Sequence, residues 1–174
     1  MREQQRVVTK AALLVSGINA EGYREVLGIP MGDSESEGFW PDLFNGLRQR
    51  GLEGVTFVVS DEHKGLVNAI QRCFQGAIWQ RCQVHFLRNV LTHTPARHKT
   101  AMTEGLKRIF RAQTAQEARQ KAHALMEEME NAAPKAVACL EEGLEDALAV
   151  MALPEKYCRR LKSTNMQERH RPNG

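Results

Sequence analysis

The first half of the chain, up to about residue 93, alternates between short apolar runs and segments with apolar residues at helical spacing. The apolar, β-branched run 6–18 predicts a strand, and 23–29 predicts its antiparallel partner across a short turn. The continuous run 55–59 predicts a strand buried on both faces, and 77–79 predicts a further short strand. Alternation of these strands with helices indicates an α/β sheet with helices packed on it.

The helices of this half have recognisable ends and apolar faces. The acidic, serine-rich stretch 34–37 predicts a helix start, and Gly51 predicts the end of that helix. Leu66, Ile70 and Phe74 mark the apolar face of a second helix. The apolar residues between 84 and 91 mark a third helix, which follows the short strand at 77–79.

From about residue 96 to residue 153 the apolar spacing is helical throughout. It predicts three helices, and the last begins at Pro134 because proline suits the first helical position. After residue 155 the chain turns basic. The pattern therefore divides the chain into a mixed region 1–95, a helical region 96–155 and a terminal segment 156–174.

Composition narrows the class of protein. With 174 residues, 42% hydrophobic and 26% charged, the chain has the balance of a folded globular domain. The net charge of +3 permits a nucleic-acid partner without requiring one. No apolar run is long enough to cross a bilayer, and the polar first six residues lack the apolar stretch of a secretory signal. We expect a cytoplasmic protein with no membrane partner.

The four cysteines do not form a Cys-x-x-Cys pair, so reduced, mostly buried thiols are expected. Cys82 and His85 are three residues apart at a predicted helix start, which places them on one side of the helix. That spacing suits two ligands of a zinc ion. A structural zinc site needs about four ligands, and the chain has no second pair at matching spacing, so the ligand count argues against zinc.

Two carboxylates are candidates for chemistry, and each also has a structural explanation. Asp61 directly follows the predicted strand 55–59, where open α/β sheets place their functional crevice. It equally suits the capping of the helix that follows. Glu168 lies in the stretch 163–169, whose Ser, Asn and Glu resemble a capping box. Taken singly, neither carboxylate identifies a function.

Several motifs nevertheless follow one another in order along the chain. They are Gly22-Tyr23-Arg24-Glu25-Val26-Leu27-Gly28, Ser34-Glu35-Ser36-Glu37 with Phe39-Trp40, Val58-Val59-Ser60-Asp61, Trp79-Gln80-Arg81-Cys82 with Val84-His85-Phe86 and Arg88-Asn89, and Ser163-Thr164-Asn165 with Glu168-Arg169. In this order and spacing they resemble the mutator-type DDE transposases of bacterial insertion sequences, from about Arg6 to Arg169.

The resemblance implies an α/β fold, namely a ribonuclease-H-like mixed sheet with an α-helical insertion. Residues 1–95 would be part of the catalytic core, 96–155 the insertion, and 156–174 the return to the core. Asp61 would be the second acidic residue of the DDE triad and Glu168 the third. Cys82 and His85 match the family's Cys-x-x-His motif, which implies a place in the catalytic site.

The resemblance also implies a cofactor and partners. Asp61 and Glu168 would bind Mg²⁺ in a two-metal site that supports strand cleavage at the ends of the element and strand transfer into target DNA. Double-stranded DNA is the expected partner. Association with further copies of the chain in a homo-oligomer, or with a full-length transposase, is also expected. The expected DNA-contacting residues lie in the motifs and are Arg81, Arg88, Asn165 and Arg169.

The chain departs from the family pattern at both ends. The first catalytic Asp and its strand belong upstream of the position of Met1, and no acidic residue of the chain takes that place. After Arg169 the chain runs through Pro172, where the family continues as a basic helix. The expectation is a transposase fragment, truncated at both ends, without its first strand and inactive alone. The alternatives are a non-catalytic fragment that binds DNA or full-length transposase through the basic run 156–162, and a fragment that folds poorly around an unpaired sheet edge.

Overall fold

The computed structural model of the chain describes residues 11–32, 38–154, 157, 158 and 161. The helix start predicted at 34–37 lies outside these residues. Asn165, Glu168 and Arg169 also lie outside them, as do the basic side chains predicted between 156 and 162. The chain forms two compact units. Of the described residues, the first unit contains those up to Val55 together with Lys64–Gln75, and the second contains Thr56–His63 and those from Gly76 onward.

The first unit contains four short strands. Strand β1 (Ala11–Ala12) pairs with β4 (Met31–Gly32), and β2 (Val15–Ile18) pairs with β3 (Arg24–Gly28), both antiparallel. The predicted hairpin is confirmed, and Gly22 adopts a φ of 88° in its turn. The described part of the predicted strand 6–18 is two strands instead of one, since β1 and β2 have different partners.

Two helices complete the first unit. Helices α1 (Phe39–Gln49) and α2 (Lys64–Cys73) lie where the apolar spacing predicts them, and α1 ends before Gly51 at a φ of 99°. Their buried apolar faces pack together, and the rings of Phe44 and Phe74 meet edge to face with centroids 5.0 Å apart.

The second unit begins with a parallel strand pair. Strand β5 (Phe57–Ser60) pairs in register with β6 (Ile78–Arg81), so that Ser60 lies opposite Arg81. The prediction that 55–59 is buried on both faces was wrong, because only Ser60 of β5 is buried and the apolar residues of the strand are half-buried. Periodicity reports that a run is apolar, but the neighbouring elements decide how much of it is covered.

Helices make up the rest of the described second unit. They are α3 (Gln83–Thr92), α4 (Lys99–Phe110), α5 (Ala115–Met129) and α6 (Pro134–Leu148), with 3₁₀ turns at Ala96–His98 and Ala149–Ala152. Helix α3 packs on α4 and α6, α5 packs on α4 and α6, and α6 also packs on β6. Their apolar faces enclose one core, which includes Phe86, Met102 and Leu140. Pro134 opens α6 as predicted.

The mixed α/β character predicted from the pattern is confirmed. The single predicted sheet is not: within the described residues the strands form three two-stranded sheets. Local sequence determines whether a segment extends, whereas strand pairing depends on which segments meet in the folded chain. Among the described helices, none combines the length and the apolar character needed to span a membrane.

Replacing each of two helical glycines with alanine should change the free energy of unfolding in opposite directions. A Cβ at Gly105 would lie 2.7 Å from Cδ2 of Leu125, which is buried in the core, so Gly105→Ala should lower the free energy of unfolding by about 1–2 kcal/mol. A Cβ at Gly46 would meet no atom within 4 Å, so Gly46→Ala should raise it by about 0.5–1 kcal/mol through helix propensity. Urea unfolding followed by circular dichroism checks both, and equal signs would contradict the steric assignment.

Candidate functional site

The candidate site lies where the parallel strands end. Because Ser60 pairs with Arg81, the next residues, Asp61 and Cys82, leave neighbouring strands at the same edge. Adjacent strands are about 4.8 Å apart, and the carboxyl ends of parallel strands are the usual position of a functional crevice. The two predicted site residues therefore lie on adjacent segments of the second unit, although they are far apart in sequence.

Asp61 is exposed, while its backbone is anchored. The hydroxyl of Ser60 donates to the carbonyl oxygen of Asp61 at 2.7 Å and accepts from Nε1 of Trp79 at 2.9 Å. Trp79 lies on β6, so this chain of hydrogen bonds ties the end of β5 to its neighbour. The carboxylate of Asp61 is thus presented to solvent from a restrained backbone, as a metal or substrate ligand requires.

Arg81 is the most enclosed charged side chain at this edge. It forms an ion pair with Glu62, its side chain is only 5% exposed, and its guanidinium lies over the Phe86 ring, 4.7 Å from the centroid. A Cβ at Gly143 would lie 2.6 Å from Cε2 of Phe86 and 3.1 Å from Cζ of Arg81, so glycine allows α6 to approach them. Arg81 therefore connects the residue after Asp61 to both α3 and α6.

The charge of Arg81 also influences α6. Burial raises the pKa of the Cys139 thiol, and the nearby positive charge of Arg81 partly offsets this. Burial likewise raises the pKa of Asp146, and Arg81 again acts in the opposite direction. Arg81 was predicted to contact DNA. In the structure its guanidinium is engaged within the protein, whereas Arg88, the other described residue with that prediction, is exposed on α3.

Cys82 and His85 lie at the start of α3. Cys82 is completely buried, and its backbone N–H donates to the carbonyl oxygen of Ser60 at 2.7 Å. Its own carbonyl oxygen accepts from the N–H of Phe86 at 2.9 Å, which begins the helix. His85 is half-buried in the first turn, with its Nδ1 atom inside the protein. The motif thus joins the end of β6 to α3 beside the strand that carries Asp61.

Gln80 stands within one of the family motifs, but the sequence alone gave it no role. It is fully buried, and its Nε2 donates to the carbonyl oxygens of Ala147 at 2.7 Å and Arg81 at 2.8 Å, while its Oε1 accepts from the N–H of Val150 at 2.6 Å. Gln83 donates to Ala147 as well, at 2.8 Å. The Gln80 side chain therefore holds β6 to the end of α6. The sequence offered one signal, namely a polar residue directly after the apolar run that predicted a strand. That signal did not identify the groups with which Gln80 would form hydrogen bonds.

The donors for a metal ion can be counted for part of the site. Within residues 11–32 and 38–154, no group of three or more His, Cys, Asp or Glu side chains is arranged to hold a metal ion. Asp61 supplies one exposed carboxylate, and the Glu62 carboxylate is paired with Arg81. The described residues therefore fit one carboxylate ligand of a hard cation rather than a complete site.

Comparison with known proteins gives a consistent result. The chain matches the family model "Transposase, Mutator family" over residues 1–171. It is 40% identical over 171 residues to the transposase for insertion sequence element IS256 in transposon Tn4001 of Staphylococcus aureus, covering 97% of this chain and 44% of that protein. It is 38% identical over 169 residues to the transposase for ISRM5 of Rhizobium meliloti, covering 97% and 42%. The chain spans less than half the length of these relatives.

Proposed function

Because the chain belongs to the mutator family of transposases, we propose that it is part of the catalytic core of an insertion-sequence transposase, with Asp61 as a metal-binding carboxylate. The observation that carries this proposal is the exposed carboxylate of Asp61 on an anchored backbone at the end of a parallel strand. Hydrolysis and transfer of phosphodiesters need such a carboxylate to be held in place before the substrate arrives.

The proposed site is of the DDE type within a ribonuclease-H-like fold. Asp61 is its second acidic residue, and Glu168, outside the described residues, is its third. Bound Mg²⁺ would activate the attacking oxygen and stabilise the leaving oxygen of the phosphodiester. The protein's own contribution is to aim Asp61, and the ion pair of Glu62 with buried Arg81 supports this by restraining the next residue.

Cys82 and His85 are proposed to shape the site from the neighbouring segment. Cys82 is buried and holds the end of β6 against β5 through its backbone, so its role is structural support of the Asp61 segment. His85 lies one helical turn further on and has a side chain that is both donor and acceptor. In this proposal the motif supports the site without being a metal ligand.

The partner proposed for the whole enzyme is double-stranded DNA, at the element ends and at the target, with assembly of several transposase copies. A non-catalytic role, in which the chain binds DNA or a full-length transposase, is the second candidate. It is favoured by the exposed cations of the described helices, such as Arg88 on α3, which suit binding to a polyanion without chemistry. In that role the chain would not cleave DNA by itself.

Metal binding at Asp61 can be measured without activity. In the ¹⁵N-labelled chain, Mn²⁺ should selectively broaden the amide signals of Asp61 and its neighbours, because a paramagnetic ion relaxes nearby nuclei. Asp61→Asn should remove most of this broadening, since a neutral amide is a poor ligand for a hard cation. The matched control, Glu141→Gln, removes an exposed carboxylate from α6 and should leave the broadening unchanged.

The outcomes separate the two candidate functions. Broadening that persists in Asp61→Asn would contradict the role of Asp61 as a metal ligand. A cleavage assay with Mn²⁺ and DNA carrying the ends of the element tests the chain itself. Metal-dependent cleavage that is lost in Asp61→Asn would overturn the expected inactivity and would leave the catalytic proposal stronger than the non-catalytic one.

A further inference from the structure

Among helices α3–α6, the first two carry more basic than acidic residues and the last two carry more acidic than basic residues. Residues 83–111, which contain α3 and α4, hold six Lys and Arg against one Glu, whereas residues 112–150, which contain α5 and α6, hold three against eight Asp and Glu. Each kind of charge is carried by a pair of helices in contact, since α3 packs on α4 and α5 packs on α6, while α4 also packs on α5 and α3 on α6. The net charge of the whole chain is modest, although its basic and acidic residues are unevenly distributed between α3–α4 and α5–α6.

The positive charge is most concentrated at the end of α4. Lys107, Arg108 and Arg111 are exposed there, and we call them the α4 cluster. Lys107 donates to Oε1 of Glu104 at 2.7 Å, and this bond holds the pKa of the Glu104 carboxyl below its usual value. The charges of Arg111 and Arg108 lower the same pKa further.

A simpler explanation for basic residues at this position is the helix dipole. Cations near a helix C-terminus are stabilised by the negative end of the helix dipole. The dipole is just as negative at the ends of the other helices, yet α1 and α2 each have a single basic residue in the last turn, and α5 and α6 have none. Helix stability therefore does not account for the concentration of cations on α4.

We propose that the α4 cluster binds the phosphate backbone of double-stranded DNA. Exposed arginines bind phosphate oxygens through two parallel hydrogen bonds, and lysine adds a point charge, so a cluster of the two types suits a polyanion. Backbone contacts of this kind orient a protein on DNA without reading its sequence. The acidic α5–α6 side would be repelled from the duplex, which sets the orientation of the helical region. For its partner this inference rests on the proposed function.

The test compares two triple variants with the same change in charge. Lys107→Gln, Arg108→Gln and Arg111→Gln remove the α4 cluster, whereas Arg119→Gln, Lys121→Gln and Lys135→Gln remove three cations from α5 and α6. Binding of a short duplex of arbitrary sequence is measured by fluorescence anisotropy over a salt series. The α4 variant should bind at least about tenfold more weakly, and its slope of log K against log salt should shrink by about 2–3.

Each result bears on the inference in a defined way. The α5–α6 control should stay within about twofold of the parent chain, since its cations lie on the acidic side. A third variant, Lys107→Arg with Arg108→Lys and Arg111→Lys, keeps the charge and should bind like the parent, and thermal melts compare the folding of all of them. Equal losses in the two charge-removing variants would overturn the α4 cluster while leaving DNA as the partner. Failure of the parent chain to bind the duplex would overturn the α4 cluster and DNA as its partner, whereas the Mn²⁺ test of Asp61 decides the proposed function separately.

Discussion

Replacing Gln80 with leucine should lower the free energy of unfolding by about 3 kcal/mol. The side chain is fully buried and makes three hydrogen bonds, so leucine removes partners from the carbonyl oxygen of Arg81 and the N–H of Val150 inside the protein. Each buried polar group that loses its partner costs about 1–3 kcal/mol. Urea unfolding followed by far-ultraviolet circular dichroism measures the loss through the helices of the second unit.

Gln83→Leu is the matched control for this prediction. It removes one hydrogen bond to the carbonyl oxygen of Ala147, which keeps its bond from Gln80, so the expected loss is only about 1 kcal/mol. Combining the two substitutions removes both of these side-chain donors from Ala147, and the loss should exceed the sum of the single losses. Equal effects of the two single variants would show that Gln80 does not hold β6 to the end of α6.

Glu62→Gln should destabilise the chain by about 2–3 kcal/mol because it removes the counter-charge of a cation that is only 5% exposed. The estimate is below that for a fully buried pair because the Glu62 side chain is 47% exposed. Adding Arg81→Met should restore most of the lost stability. Methionine is apolar and flexible, so it can occupy the space over Phe86 without a charge to compensate.

The comparison between the single and the double variant is the decisive measurement. If the buried charge dominates, the double variant unfolds at higher urea concentration than Glu62→Gln alone. If the packing of the guanidinium against Phe86 and Gly143 dominates, the double variant is the less stable of the two, and the electrostatic explanation is wrong. Exposed ion pairs such as Lys107 with Glu104 serve as a reference, since their loss should change stability by less than about 1 kcal/mol.

Local features of the fold were predictable from sequence. The apolar spacing at Leu66 and Ile70 places α2, and Pro134 marks the start of α6, because helix formation depends on residues three and four apart. The turn between β2 and β3 was predictable because Gly22 allows a positive φ. Strand pairing was not predictable in the same way. Segment 6–18 was expected to be one strand, but β1 and β2 pair with different neighbours.

The candidate site likewise has features that the sequence predicted and features that it did not. Asp61 was recognisable as a carboxylate following an apolar strand, and the family resemblance predicted a catalytic role for it. Its surroundings were not recognisable, because Glu62, Arg81 and Gly143 come from three separate segments that meet only after folding. Arg81 is an example: as part of a motif it suggested a DNA contact, and the fold pairs it with Glu62 inside the protein.

The sequence by itself determined the family, the positions of the helices and the carboxylate at the end of β5, since these depend on residue order and short-range spacing. Only the tertiary structure decided that Gln80 holds α6, that Arg81 is enclosed and paired with Glu62, and that α3 packs on α4 and α5 on α6. The physical reason is that hydrogen bonds, ion pairs and surface fields depend on distances between side chains. Those distances are set by how the helices and strands pack, not by their separation in sequence.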